Sequence, residues 1–233
     1  MKSFIHPTAI VDSSAVIGND NYIGPYCIIG PNVVMGNANR FEAFVSIGTA
    51  AQHRDYFLLP PGPVRIGNNN VFRESVTVNG GTIDTTVVED SCTLLIGAHV
   101  GHDTILKSFC NLGNNTNLGG HSIINTGANL GLSVVVHQNR IIGAYAMIGM
   151  NSTVTKDMPP FLICHGSPCE PRRINRVGLQ RNGISKKDLL TFENWFDEQG
   201  NQYENLLSLE HPYNKHIQEY LGYKSEIKTK KSA

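Results

Sequence analysis

Residues 94–124, "LLIGAHVGHDTILKSFCNLGNNTNLGGHSII", place an apolar side chain at every sixth position: Leu94, Val100, Leu106, Leu112, Leu118 and Ile124. The period extends back to Val88 and forward through Leu130, Val136, Ile142 and Ile148 to Val154. In a chain that is 40% apolar, twelve such positions in succession arise by chance about once in 60,000 trials. A separate run at the same spacing covers Ile5 to Ile47, and Ile66, Phe72 and Val78 link the two in another register. A period of six fits neither an α-helix nor an ordinary amphipathic strand. It fits a β-solenoid, in which short strands alternate with turns. Glycine follows the repeated residue at Gly18, Gly24, Gly30, Gly113, Gly119 and Gly131, among others, where a tight corner needs a permissive backbone. The residue two before it is small: Cys92, Ala98, Thr104, Cys110, Thr116 and Ser122 suit a narrower interior position.

Composition narrows the function classes. The chain has 233 residues with 19 basic and 19 acidic side chains. Zero net charge gives no general attraction to nucleic acid or to an anionic membrane. No apolar run reaches the length of about 18 residues that membrane insertion needs, and "MKSFIHPTAIVDSS" lacks a signal-peptide core. The five cysteines show neither CxxC spacing nor even pairing, so they read as reduced thiols of a cytoplasmic protein, with Cys92 and Cys110 as small core residues.

The hexads are similar to the left-handed parallel β-helix of the hexapeptide-repeat acyltransferases. That resemblance implies an all-β solenoid with three hexads per 18-residue coil, and a homotrimer. Residues 1–165 are the expected β-helix, with loops extruded at 50–63, "AAQHRDYFLLPPGP", and at 79–87. Residues 166–225 form an α-helical C-terminal region and 226–233 a tail. "GISKKDLLTFENWFDEQG" predicts a helix capped by Ser185 with Asp188 in its first turn. "NQYENLLSLE" and "NKHIQEYLGY" predict two more.

On an 18-residue coil, His102 and Gln138 fall at one register, Asp103 and His121 at the next, and His137 one position earlier. Equal registers stack about 4.8 Å apart per coil, so these groups line one edge, with His99 three residues before His102. The segment "IGAHVGHDTI" resembles the catalytic coil of the UDP-N-acetylglucosamine O-acyltransferase family of lipid A biosynthesis. "FIHPTAIVD", "RESVTV", "GGH", "VHQ", "DMPPF" and "GLQRNGIS" occur in that family's order.

The resemblance implies His102 as general base, Asp103 as its associated carboxylate and the Gly120 N–H as oxyanion donor. It implies substrate contacts from His99, His121, His137, Gln138, Asn175 and Arg181, and no bound cofactor or metal. An imidazole suits proton transfer between a hydroxyl or amine and a leaving thiol near neutral pH.

Four departures stand out against the family. One coil is missing after "NVVMGNANR". His53 and Asp55 occupy positions where the family carries an aspartate and a lysine toward the sugar nucleotide. Val177 replaces a glutamate that helps recognise uracil. Met150 replaces a glycine that leaves room for a long acyl chain, which implies a short or medium one. The changes at His53, Asp55 and Val177 favour N-acylation of a UDP- or dTDP-linked amino sugar for surface polysaccharide, with acyl carrier protein or CoA as donor. O-acylation of UDP-N-acetylglucosamine is the alternative. A non-catalytic or zinc-binding β-helix is the rival of a different class.

Overall fold

A computed structural model describes residues 1–56, 58–199 and 213–232. Twenty-three short strands, β1 (Phe4–Ile5) to β23 (Thr153–Val154), wind into a left-handed parallel β-helix with three faces. The expected fold class is the one observed. Through β20, each strand pairs in parallel with the one three elements later. Thus β14 (His99–Val100) pairs with β17 (Asn117–Leu118), and β17 with β20 (Val135–Val136), at a constant offset of 18 residues, His99↔Asn117 and Asn117↔Val135. Lower down the offsets widen where the period breaks: Arg40 pairs with Val71, and Val71 with Thr93.

The repeated apolar residues point inward and stack. Ile23, Phe41, Phe72, Leu94, Leu112, Leu130 and Ile148 form one fully buried column, with the Phe41 and Phe72 rings parallel at 4.6 Å. Each such side chain contributes about 2 kcal/mol through burial. All five cysteines are buried free thiols.

The glycines do a different job from the one expected. Of those following a repeated apolar residue, only Gly48 has a positive φ. The left-handed corner conformation falls two residues later, on Asn115 (φ 56°), His121 (φ 57°) and Asn139 (φ 58°) among others. Glycine is needed because the next coil passes too close: a Cβ on Gly119 would lie 2.6 Å from the Gln138 nitrogen, and one on Gly113 would lie 2.6 Å from the Gly131 carbonyl carbon.

The loop at 50–63 lies as expected between β8 (Ser46–Thr49) and β9 (Val64–Ile66). The second break is shorter than expected, 80–85, between β11 (Thr77–Asn79) and β12 (Thr86–Val88). It is folded against the next coil rather than extruded.

At the C-terminal end an antiparallel hairpin, β24 (Leu162–His165) and β25 (Glu170–Ile174), extends the first sheet past the expected boundary at 165. Helix α1 (Arg176–Arg181) and helix α2 (Lys186–Gln199) follow. Ser185 caps α2 as expected, its hydroxyl donating to the Asp188 carboxylate and accepting from the Asp188 N–H. The helix expected from "NQYENLLSLE" lies outside the described residues. Helix α3 (Asn214–Ser232) packs Tyr220, Leu221 and Tyr223 over Ile123 and Ile141 of the third sheet. It also continues through residues 226–232, where a tail was expected. Among the described residues no helix is long and apolar enough to cross a membrane.

Candidate active site

His102 and Asp103 follow β14 at the vertex between the second and third sheets. In an extended strand neighbouring side chains point to opposite faces. Here Asp103 adopts φ 58°, and its Oδ2 lies 2.6 Å from His102 Nδ1. The Asp103 side chain is fully buried and that of His102 is 10% exposed.

The turn of the coil below wraps the carboxylate. Oδ1 accepts the N–H groups of Thr82 (2.8 Å), Ile83 (3.1 Å) and Asp84 (2.8 Å), and Oδ2 accepts the Thr82 hydroxyl at 2.5 Å. The Asp103 N–H itself donates to Thr86 Oγ1 at 2.8 Å. Burial alone would push the Asp103 carboxyl up. The hydrogen bonds from His102, from the Thr82 hydroxyl and from the Thr82 and Asp84 amides outweigh it and hold the group well below the usual carboxylate range. An ionised carboxylate only accepts, so His102 Nδ1 carries a proton, and in the neutral imidazole the lone pair lies on Nε2.

Gly120 sits directly above His102 on the next coil. A Cβ there would lie 2.5 Å from both Cε1 and Nε2 of the imidazole. Gly120 is buried, and among the described residues its N–H has no acceptor. His121, whose N–H donates to the His102 carbonyl at 2.9 Å, crosses the His102 ring at 90° with centroids 5.1 Å apart. Its Nε2 lies 3.4 Å from Asp103 Oδ2. His99 is anchored by Thr77 Oγ1, 2.8 Å from Nδ1. Burial, and secondarily the nearby His102, push the His99 imidazole down, so it stays neutral at pH 7. From the loop after β8, His53 presents its ring 5.8 Å from that of His102.

The other expected site residues are spread around this centre. Gln138 and His137 occupy the same vertex two coils on from His102, both exposed, with His137 Nδ1 3.1 Å from the Gln138 carbonyl oxygen. Asp55 is solvent-facing, 3.9 Å from His53 Nδ1. Arg181 and Val177 lie elsewhere. Together with Asn111, Asn129 and Met147 they line a cavity of about 390 Å³ on the first sheet, the face opposite the His102 vertex. Asn175 lines that cavity too, but its side chain is engaged in the fold. Oδ1 accepts the Gly178 N–H at 3.1 Å, capping α1, and Nδ2 donates to the Tyr145 carbonyl at 2.9 Å. Met150 projects from the vertex between the first and second sheets and is 66% exposed, so it fills no core space of its own chain.

The ligand atoms of His102, Asp103 and His121 lie within 4.8 Å of one another. This set does not fit a resident metal. The two Asp103 oxygens already accept five hydrogen bonds, and a metal would have to displace them.

Sequence reasoning missed Thr77, Thr82 and Thr86. They lie 22, 21 and 17 residues before their partners. For Thr77 and Thr82 a strict 18-residue register hides the pairing because the extra residues of the 80–85 turn intervene, whereas Thr86, one residue off that register, carries no signal of its own.

A parallel coil of hexads with an imidazole–carboxylate pair at one vertex places the chain in the hexapeptide-repeat class. The bacterial transferase hexapeptide model matches residues 14–49, and the model for UDP-N-acetylglucosamine O-acyltransferase, domain 2, matches residues 157–218. The acyl-[acyl-carrier-protein]–UDP-N-acetylglucosamine O-acyltransferase of Saccharophagus degradans is 41% identical over 208 residues, 80% of either chain. Among solved structures, the UDP-N-acetylglucosamine acyltransferase of Francisella novicida superposes with a TM-score of 0.76 at 33% identity, over 83% of this chain and 79% of that one. LpxA of Acinetobacter baumannii gives 0.79 at 30% identity, over 91% and 94%. The chain belongs to the UDP-N-acetylglucosamine O-acyltransferase family.

Proposed function

We propose that this protein transfers an acyl group from acyl carrier protein to a hydroxyl of UDP-N-acetylglucosamine, the first acylation toward lipid A. The observation that carries this reading is the His102–Asp103 pair packed against Gly120, whose N–H has no acceptor among the described residues, within a chain 41% identical to an O-acyltransferase of that specificity. His102 Nε2 takes the proton of the attacking hydroxyl as its oxygen bonds to the thioester carbon. The carbonyl oxygen becomes an oxyanion facing the Gly120 N–H. Collapse breaks the carbon–sulfur bond, and the departing thiolate takes the proton from His102. Neutral His99, with His53, His121, His137 and Gln138, borders the space for the sugar.

The relatives support O-acylation over the N-acylation that His53, Asp55 and Val177 suggested. Of those three only His53 stands beside His102, whereas Asp55 faces solvent and Val177 stands on another face. The position of Arg181 also bears on assembly. One chain does not bring the first-sheet cavity and the His102 vertex to one ligand, which supports the homotrimer that the family resemblance implies, with neighbouring chains supplying the two halves.

The test is turnover with UDP-N-acetylglucosamine and a series of acyl carrier protein thioesters, beside nucleotide-linked amino sugars and acyl-CoA. An ester product cleaved by hydroxylamine is expected. A hydroxylamine-resistant amide formed only with an amino sugar would return the reading to N-acylation.

A further inference from the structure

The Asp103 carboxylate is held by a turn that the proposed reaction does not itself require. Residues 82–84 direct three consecutive N–H groups at Oδ1, a concave anion-binding arrangement built from backbone. Only one side-chain hydroxyl in that turn, Thr82 Oγ1, reaches Oδ2, the same oxygen that faces His102 Nδ1. Without that hydroxyl Oδ1 would stay on the three amides, but Oδ2 would keep only His102 Nδ1 and the more distant His121 Nε2, 3.4 Å away, and the carboxylate could rotate about its Oδ1 anchor.

We propose that Thr82 is a positioning residue for the acyl transfer: its hydroxyl fixes Oδ2 and thereby holds the His102 ring in place against Gly120. This rests on His102 being the base. The hydroxyl and the imidazole approach Oδ2 as two donors, which uses the lone pairs in the carboxylate plane and sets its rotation. The imidazole then has one orientation, with Nε2 against the empty side of Gly120. Thr82 touches no reacting atom.

Thr82→Val removes the hydroxyl while keeping the branched shape and the backbone N–H, and Thr82→Ser restores the hydroxyl without the methyl. In steady-state assays with acyl carrier protein thioester and UDP-N-acetylglucosamine, Thr82→Val is expected to lower kcat about tenfold or more at unchanged KM. Thr82→Ser is expected to stay within about threefold of the parent. Parental kcat in Thr82→Val, or equal loss in both variants, overturns the proposal. A second readout needs no turnover. In protein labelled with 15N-histidine, the hydrogen-bonded Nδ1–H resonance of His102 is expected to shift or broaden in Thr82→Val and to return in Thr82→Ser. An unmoved resonance overturns the proposal. Absence of turnover in the parent protein counts against the acyltransferase reading alone and leaves this spectroscopic test to decide the role of Thr82.

Discussion

The imidazole of His102 occupies the space that a side chain at residue 120 would take, 2.5 Å from where its Cβ would stand. Gly120 therefore does two things at once. It leaves room for the ring, and it offers an N–H with no acceptor among the described residues. Gly120→Ala is expected to turn the ring away from Asp103 rather than unfold the coil, because the obstructed atoms belong to a side chain that can rotate. A displacement of about 1 Å costs on the order of a hundredfold in rate. The check is kcat alongside the thermal midpoint: a large loss in rate with a nearly unchanged midpoint is the expected pair. Full activity would show that the glycine is needed for coil spacing alone.

Asp103 links catalysis to acid stability. Asn at 103 can still accept the three amides of residues 82–84 on one oxygen, but it would present an N–H to His102 Nδ1. That favours the opposite tautomer and takes the lone pair from Nε2, so Asp103→Asn is expected to cut kcat by about a thousandfold or more. The sign of the pH effect follows from the lowered pKa. The folded carboxyl binds its proton less readily than the unfolded one. Its contribution to stability is thus complete above the usual carboxylate range and is lost as pH falls below about 4. Thermal midpoints measured from pH 6 downward should fall for the parent protein and less steeply for Asp103→Asn. Parallel curves would mean that the carboxylate adds nothing to stability.

The coil was legible in the sequence because its signal repeats. Twelve apolar positions at one spacing fix the interior, and the 18-residue register then places Asp103 beneath His121 and His102 beneath Gln138. What lies off the register was not legible. The turn at 80–85 reads as an inserted loop, yet it supplies four hydrogen bonds to one buried carboxylate. The β24–β25 hairpin and the six-residue α1 are too short for periodicity to reveal. The corner glycines looked like backbone requirements, but their reason is the neighbouring coil, which no local pattern encodes. The resemblance offered both Asn175 and Arg181 as candidate contacts. The structure separates them, one capped into the fold and one free on its surface.

Met150 tests the acyl chain. At 66% exposure it supports no packing within its own chain, so Met150→Gly is expected to leave the thermal midpoint within about 1 °C, an effect of a few tenths of a kcal/mol. If the Met150 side chain closes the end of an acyl groove completed by a neighbouring chain, removing it opens room for several methylenes. Competition among acyl carrier protein thioesters of increasing length should then show the preferred chain lengthening in Met150→Gly. An unchanged preference would remove Met150 from the groove.

Asn175 and Arg181 should fail in different ways. Asn175→Ala removes the cap of α1 and leaves the Tyr145 carbonyl without its donor. The first loss costs about 1 kcal/mol and the second a similar amount. A lower thermal midpoint is expected, together with a raised KM, because α1 carries Val177 and Arg181 into the first-sheet cavity. Arg181→Ala touches an exposed side chain and should leave the midpoint alone while raising KM for the nucleotide sugar. The two variants together decide what Asn175 does. A raised KM with no loss of stability in Asn175→Ala would make it a direct ligand contact, whereas a falling midpoint that tracks the rise in KM makes it the strut on which the contact at Arg181 depends.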